Sequence, residues 1–268
     1  AGDEEEIIGA VRQADDSGTP LLVLGGGSNV LAHDDGFAGL VLRDARQKVV
    51  LTADTDCGGV EFTATAGTTW DDLVRRAVAS HWGGFAALSG IPGTVGAAPV
   101  QNIGAYGAEV AELLASVRAW DRAAGRTVHI PLSELRLTYR DSALKRSLTD
   151  PDVGAGRTGG PTGRWVVLSV TFHVHRASLS APIAYSQLAG ALDVEMGARV
   201  DAREVREAVL ADLAEQYGTE EDVKALKAAF RSVTKRIVRH RTLTEGVRMD
   251  GRGLRDIRTL GAEVEVLP

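Results

Sequence analysis

LSGIPGTVGAAPVQNIGAYGAEV, Leu88–Val110, sets Gly90, Gly93, Gly96, Gly104 and Gly107 in one short span stiffened by Pro92 and Pro99. Polar Ser89, Thr94, Gln101, Asn102 and Tyr106 stand between apolar neighbours. Glycine lets the main chain turn sharply and lets a ligand approach where a Cβ would block it. A long loop that is both apolar and glycine-rich suits wrapping a flat ligand. A buried turn that merely supports a helix is the alternative, but such a turn needs neither so many glycines nor so many amide side chains. A second stretch of this kind, LGGGSNVL, spans Leu24–Leu31. There an apolar strand runs into Gly25, Gly26 and Gly27, exposing successive backbone N–H groups as a concave anion site, with Ser28 and Asn29 adding polar contacts. It is not the dinucleotide fingerprint, because the third glycine position is Val30 and no helix obviously follows. A tight glycine turn in a hairpin would account for it equally well.

Outward from these loops, residues 4–17 read as a helix through Ile7, Ile8, Ala10 and Val11, and Leu21–Leu24 as a short buried strand. Val30–Ala32 and Gly39–Leu42 read as further strands, making residues 1–48 a small α/β unit. From Val49 the texture changes. Val60–Ala66 alternates with period two, and Thr69–Ser80 reads as a helix with Thr68 or Thr69 as N-cap. Val117–Asp121 and Thr127–Ile130 form a hairpin around Ala123–Gly125, residues 148–164 a loop, and Trp165–His175 a strand. Residues 49–180 are therefore expected to be α+β with a mainly antiparallel sheet. Residues 181–211 open a further domain. Residues 201–217 and 220–245 read as helices, and 246–268 carries four glycines and ends in a strand-like Val264–Leu267. There is no internal repeat.

The composition is that of a globular protein: 268 residues, 44% hydrophobic and 25% charged. Aromatics make up only 5%, so the core is expected to rest on Val, Leu, Ile and Ala. One cysteine, Cys57, excludes an internal disulfide and fits a reducing compartment. No Cys/His spacing suits zinc, so no metal is expected; His173 and His175 read as strand residues. No apolar run is long enough for a membrane span, and the acidic start is not a signal peptide, which makes the cytoplasm the expected location. The chain starts without Met, so a natural N-terminus upstream is expected. The net charge of −6 is uneven: residues 231–258 hold 9 basic and 3 acidic side chains.

Together the two glycine segments resemble the flavin-diphosphate loops of MurB-type reductases, which share the FAD-binding fold of the vanillyl-alcohol-oxidase class. The resemblance continues through Thr138-Tyr139-Arg140-Asp141-Ser142 and Lys145, similar to the family's Tyr-Arg-x-Ser motif. It extends to Pro182-Ile183-Ala184-Tyr185, similar to the segment whose tyrosine closes over the substrate, and fades after Asp201–Leu210. It covers residues 4–211. It implies a two-subdomain FAD-binding fold, followed here by a helical C-terminal segment, and a monomer. By carry-over, Gly25, Gly26, Gly27, Ser28, Asn29, Ser89, Gly90, Ile91, Pro92 and Gly93 hold the FAD diphosphate. Gln101, Asn102, Gly104, Ala105, Tyr106 and Gly107 line the flavin and adenine sides. Tyr139, Ser142, Lys145 and Tyr185 face the substrate, a small molecule. The family reaction takes hydride from NADPH through FAD to the enolpyruvyl ether of UDP-N-acetylglucosamine, a step in peptidoglycan precursor synthesis. Charge builds on the substrate carboxylate, and Arg140 is the cation the resemblance assigns to it. The bland reading of Arg140 pairs it with Asp141.

The family's proton-donating serine lies in a Gly-Ser-Phe-Phe segment of its third domain, and no such segment occurs here. Residues 212–268 instead resemble an internal piece of polynucleotide phosphorylase, including Arg248-Met249-Asp250-Gly251-Arg252-Gly253, short of that enzyme's active-site residues. The sequence thus reads as a flavin reductase impaired at protonation. Its alternatives are a non-catalytic flavin-binding fusion, or an RNA-associated fragment. RNA contact through residues 231–258 is not expected, because no aromatic stacking platform accompanies the charge; a solvated helix face is preferred.

Overall fold

In the computed structural model the described residues are 1–31, 36–55, 57–218 and 265–266. α1 (Glu4–Ser17) starts at Asp3, whose carboxylate accepts the Glu6 N–H at 2.7 Å, and carries Glu4, Glu5 and Glu6 at the positive end of its dipole. Gly18, at φ 66°, ends it in the left-handed conformation. β1 (Leu21–Val23), β2 (Val30–Leu31) and β3 (Leu40–Leu42) follow, and β1 pairs in parallel with β3. The polypeptide divides into two compact units, Ala1–Gly26 with Gly39–Leu210 and Gly27–Ala38 with Ala211–Pro268. In the second, β2 pairs in parallel with a strand at Glu265–Val266.

The first unit is built on β4 (Val49–Thr55) and β5 (Gly59–Thr65), then α2 (Trp70–Ala79), the short α3 (Ala98–Gln101), and the two-residue strands β6 (Gly104–Ala105) and β7 (Ala108–Glu109). The hairpin β8 (Leu114–Asp121) and β9 (Arg126–Pro131) comes next, then α4 (Leu132–Leu135), α5 (Ala143–Arg146) and α6 (Pro151–Gly154). β10 (Trp165–Val174), α7 (Ser186–Ala191) and α8 (Ala202–Tyr217) follow, with α8 from Ala211 onward and β11 (Glu265–Val266) belonging to the second unit. The main sheet has the order β4-β5-β10-β8-β9, antiparallel throughout. The expected α+β class with an antiparallel sheet and helices is therefore what the chain forms.

β10 shows why this sheet is stable. Its alternate residues Val166, Leu168, Val170, Phe172 and Val174 are buried, so one face is core. The start of that face packs Val166 and Leu168, with Trp120, against Ile7, Val11 and Ala14 of α1 and against Leu21 and Leu42. Its other end meets an aromatic cluster. Phe62 stacks on Trp82 at 4.2 Å and on Phe172 at 5.1 Å, and Phe85 meets Phe172 edge-on at 5.6 Å. The core rests mainly on Val, Leu, Ile and Ala, as expected; to this the structure adds an aromatic cluster at one end of the sheet, where each ring buries more area than an aliphatic residue.

One further expectation changes, and the N-cap expected at Thr68 or Thr69 falls on Thr69. Residues 148–164 are not loop throughout, because Asp150 caps α6 by accepting the Asp152 N–H, and Pro151 fits the first helical position. Thr69 stands at the N-cap of α2 without a side-chain cap bond; its own N–H donates to Gln47 Oε1 at 3.0 Å. The helix expected at 220–245, the basic stretch 231–258 and most of 246–268 lie outside the described residues. No helix among the described residues is long and apolar enough to cross a membrane.

Candidate flavin site

The two glycine segments meet at Gly26 and Gly93. A Cβ on Gly26 would lie 2.9 Å from the Gly93 Cα, and one on Gly25 would lie 3.0 Å from Thr94 Oγ1. Backbone against backbone at this separation requires glycine. Gly93 also sits at φ 123°, where side chains are strained. Among the described residues no hydrogen bond takes the amides of Gly25, Gly26, Gly93 or Thr94. Gly27, at φ 72°, belongs with Ser28 and Asn29 to the second unit.

The second segment is held by the core below it. The buried Trp70 indole donates to Leu88 O at 2.9 Å, and the Trp70 N–H to Gly93 O at 3.1 Å. Val95 N–H reaches Thr68 O at 2.8 Å, and Ser89 Oγ, fully buried, donates to Ala86 O at 2.7 Å. The Gly90 N–H is directed at the Asp71 carboxylate, 2.8 Å away. Residues 88–110 are thus less loop-like than expected, containing α3 and the β6–β7 pair, since Pro99 and Asn102 start and stop a helical turn.

The segment also gathers the other motifs. Asn102, at φ 43° and 2% exposed, donates from Nδ2 to Glu109 Oε2 at 2.9 Å and to Thr138 O at 2.8 Å. Ser142 Oγ donates to Val100 O at 2.7 Å and accepts the Lys145 N–H, so its hydroxyl caps α5 and ties the motif down. Lys145 Nζ reaches Gln101 Oε1 at 3.2 Å. Thr138 and Asp141 exchange backbone hydrogen bonds of 3.0 and 3.1 Å, leaving Tyr139 and Arg140 at the tip of a tight turn. Arg140 is exposed, in the left-handed region at φ 51°, with its guanidinium 5.6 Å from the centre of the Tyr139 ring. A non-glycine residue held there stores strain, a pattern that gathers at functional sites. The Asp141 carboxylate forms its salt bridge with Arg146.

Tyr106, also at positive φ, meets Tyr185 edge-on at 5.7 Å, and a Cβ on Gly107 would touch Ala184 at 3.1 Å. Beside this contact lies a cavity of about 280 Å³ whose walls include Ala86, Tyr106, Gly107, Ile183 and Leu188. Gly104 lies close to Ala108 O, and Ala105 pairs with Ala108 across the β6–β7 turn. Sequence reasoning passed over Asp71 and Arg206, although Asp71-Asp72 at the start of an amphipathic helix is a visible signal. No group of acids, histidines and cysteine among the described residues could hold a metal ion.

An FAD-like ligand fits this arrangement on two observations: the side-chain-free contact of Gly26 with Gly93, and the buried Asn102 Oδ1, which has no hydrogen-bond partner among the described residues. A buried acceptor left unpaired is costly unless a ligand donor reaches it.

Comparison with known proteins agrees. Residues 1–131 match the family model described as "FAD binding domain", and residues 184–253 match "Polyribonucleotide nucleotidyltransferase, RNA binding domain". The second match starts upstream of residue 212 and overlaps the end of the reductase similarity. The UDP-N-acetylenolpyruvoylglucosamine reductase of Salinispora arenicola is 43% identical over 206 residues, 77% of this chain and 52% of the relative. That of Saccharopolyspora erythraea is 46% identical over 211 residues, 79% and 53%. The chain spans about half the length of the curated relatives it matches. The crystal structure of UDP-N-acetylenolpyruvylglucosamine reductase (MurB) from Thermus caldophilus superposes with TM-score 0.52 at 22% identity, covering 81% of this chain and 61% of that one, a likeness of fold. Over residues 4–211 this chain accordingly resembles the flavin-domain portion of the MurB reductases, and it continues into a segment similar to polyribonucleotide nucleotidyltransferase.

Proposed function

We propose that residues 1–210 bind FAD and form the flavin-holding part of an NADPH-dependent UDP-N-acetylenolpyruvoylglucosamine reductase, with completion of the reaction impaired in this chain. The observation that carries the reading is the side-chain-free contact of Gly26 with Gly93, flanked by amides that no hydrogen bond takes among the described residues. Gly25, Gly26, Gly93 and Thr94 would donate these amides to the diphosphate. Asn102 Oδ1 would accept a ligand N–H, and Tyr106 and Gly107 would border the ring system. Bound FAD would supply hydride transfer, chemistry that no side chain here offers.

Arg140 would steady the substrate carboxylate; this is supported by its exposure, its permanent charge and the turn that carries it, anchored by Ser142 and Asn102. Ser142 positions the turn and does not itself face the substrate. Tyr185, 44% exposed against Tyr106, is available to cover a nucleotide. Impairment is proposed because the reductase similarity gives way to a segment, residues 184–253, that matches a polyribonucleotide nucleotidyltransferase domain. A cytoplasmic monomer acting on this small molecule is part of the same proposal.

The test is an absorption spectrum of the purified protein after FAD reconstitution, before and after NADPH, with product assayed in parallel. Yellow protein that bleaches with NADPH but yields little product is expected. Protein that takes up no flavin overturns the proposal, and rapid product formation overturns the impairment.

A further inference from the structure

We infer that Arg206 of α8 and Asp71 of α2 form a charge-cancelling clamp on the second glycine turn, making that turn acceptable to a ligand diphosphate; this rests on the FAD reading above. Asp71 and its neighbour Trp70 hold that turn at its two ends. Its Oδ1 accepts the Gly90 N–H at 2.8 Å, and the preceding residue, Trp70, donates its N–H to Gly93 O. A full negative charge therefore sits against Gly90–Gly93, where the diphosphate would bind. Arg206 answers it in a fork: Nη1 to Oδ1 and Nη2 to Oδ2, both at 2.7 Å, with the guanidinium side chain 13% exposed and the carboxylate 35%. This two-bond geometry is the strong form of the pair.

A bare carboxylate near an anion site repels its ligand, and the repulsion falls with distance and salt. Paired with Arg206, Asp71 still holds Gly90 by its hydrogen bond while its charge is neutralised. Burial on its own raises the Asp71 pKa, but the bonds from Arg206 and Gly90 outweigh it and hold the carboxyl below the usual range, so the group stays ionised. Arg206 is a positioning residue: it reaches the ligand only through Asp71 and Gly90. A mere brace between α2 and α8 would make a different prediction, because losing it would weaken every ligand of the fold alike.

The wild type, R206Q, R206K, D71N and the double variant D71N/R206Q are titrated at low salt with FAD and with riboflavin, which shares the ring system but lacks phosphate. Fluorescence quenching reads the affinity, and melting curves are recorded alongside. R206Q is expected to bind FAD about tenfold more weakly, with riboflavin unchanged and the loss shrinking at high salt. R206K is expected to recover part of the FAD affinity, and D71N/R206Q most of it. An equal loss for both ligands, or a double variant no better than R206Q, overturns the inference. If R206Q melts below the assay temperature, D71N decides: tighter FAD binding supports the clamp, and unchanged or weaker binding overturns it. Wild-type protein that binds FAD while R206Q binds it equally well sinks this inference alone; wild-type protein that binds no FAD sinks the reading beneath it as well.

Discussion

Asp71–Arg206 and Asp121–Arg164 are made of the same parts and sit in different places. Each aspartate takes a guanidinium through both oxygens or on both nitrogens, and each also accepts backbone N–H groups, Gly90 for Asp71 and Ala123 with Ala124 for Asp121. In both, burial pushes the carboxyl pKa up, and the arginine and amide bonds together bring it below the ordinary range. Asp121 closes the β8–β9 turn and is nearly sealed, its side chain 3% exposed. Asp71 stands open by comparison, beside a segment built for a ligand. The same ion pair locks a hairpin where it is buried in the sheet and, on the inference above, tunes a ligand site where it borders the second glycine segment. Its chemistry does not decide its role; its neighbours do.

The largest expected effect comes from breaking the sealed pair. Asp121→Ala leaves Arg164 without its partner and two turn amides without an acceptor, and is expected to lower unfolding free energy by about 3 kcal/mol. Urea denaturation measures this, and FAD affinity of the folded fraction should be unchanged. Next, Gly26→Val tests whether the ligand belongs to the neighbourhood of Asp71. Its side chain would enter the Gly93 backbone, and FAD affinity is expected to fall about a hundredfold, read by flavin fluorescence, with a smaller change in melting. Wild-type affinity in this variant would remove the ligand from that side of the comparison.

Acid sharpens the contrast more gently. A carboxyl with a depressed folded pKa stabilises the protein above its unfolded pKa, about 3.9, and this contribution is lost as pH falls through the folded value. Stability should therefore decline as pH drops below about 4. Asp121→Asn should flatten that decline more than Asp71→Asn, because the exposed carboxylate is better screened. Urea titrations at a series of acidic pH values check both. The smallest effect is expected for Thr69→Ala on the helix that carries Asp71, a change of under about 0.5 kcal/mol, since Thr69 makes no side-chain cap bond. Ser142→Ala, which removes two hydrogen bonds at a fully buried hydroxyl, should cost about 1–2 kcal/mol by the same measurement.

Much of the sheet was legible in the chain because its signal is local. The period-two pattern of Val60–Ala66 and the run Trp165–His175 each declare a face, and each formed a strand with that face buried. The helix at 4–17 was marked by its own apolar stripe. The concentration of Phe62, Trp82, Phe85 and Phe172 was not legible, since residues far apart in sequence carry no sign that they will meet. Ser142 illustrates the same limit within the site. Its place in a motif gives no hint whether the hydroxyl faces a ligand or caps a helix, and only the nearness of Val100 O and Lys145 N–H settles it.

By itself the sequence determined where the main chain would be free of side chains, which segments alternate and which wind, and that two unlike resemblances follow one another along the chain. Those are properties of neighbouring residues, set by sterics and by the spacing of apolar side chains. Only the tertiary structure decided that Gly26 lies against Gly93, that Asn102 and Ser142 bind the arginine turn to the second glycine segment, and that Arg206 reaches Asp71. Contacts between residues tens to more than a hundred positions apart depend on how the layers stack, and a linear pattern holds no record of that distance.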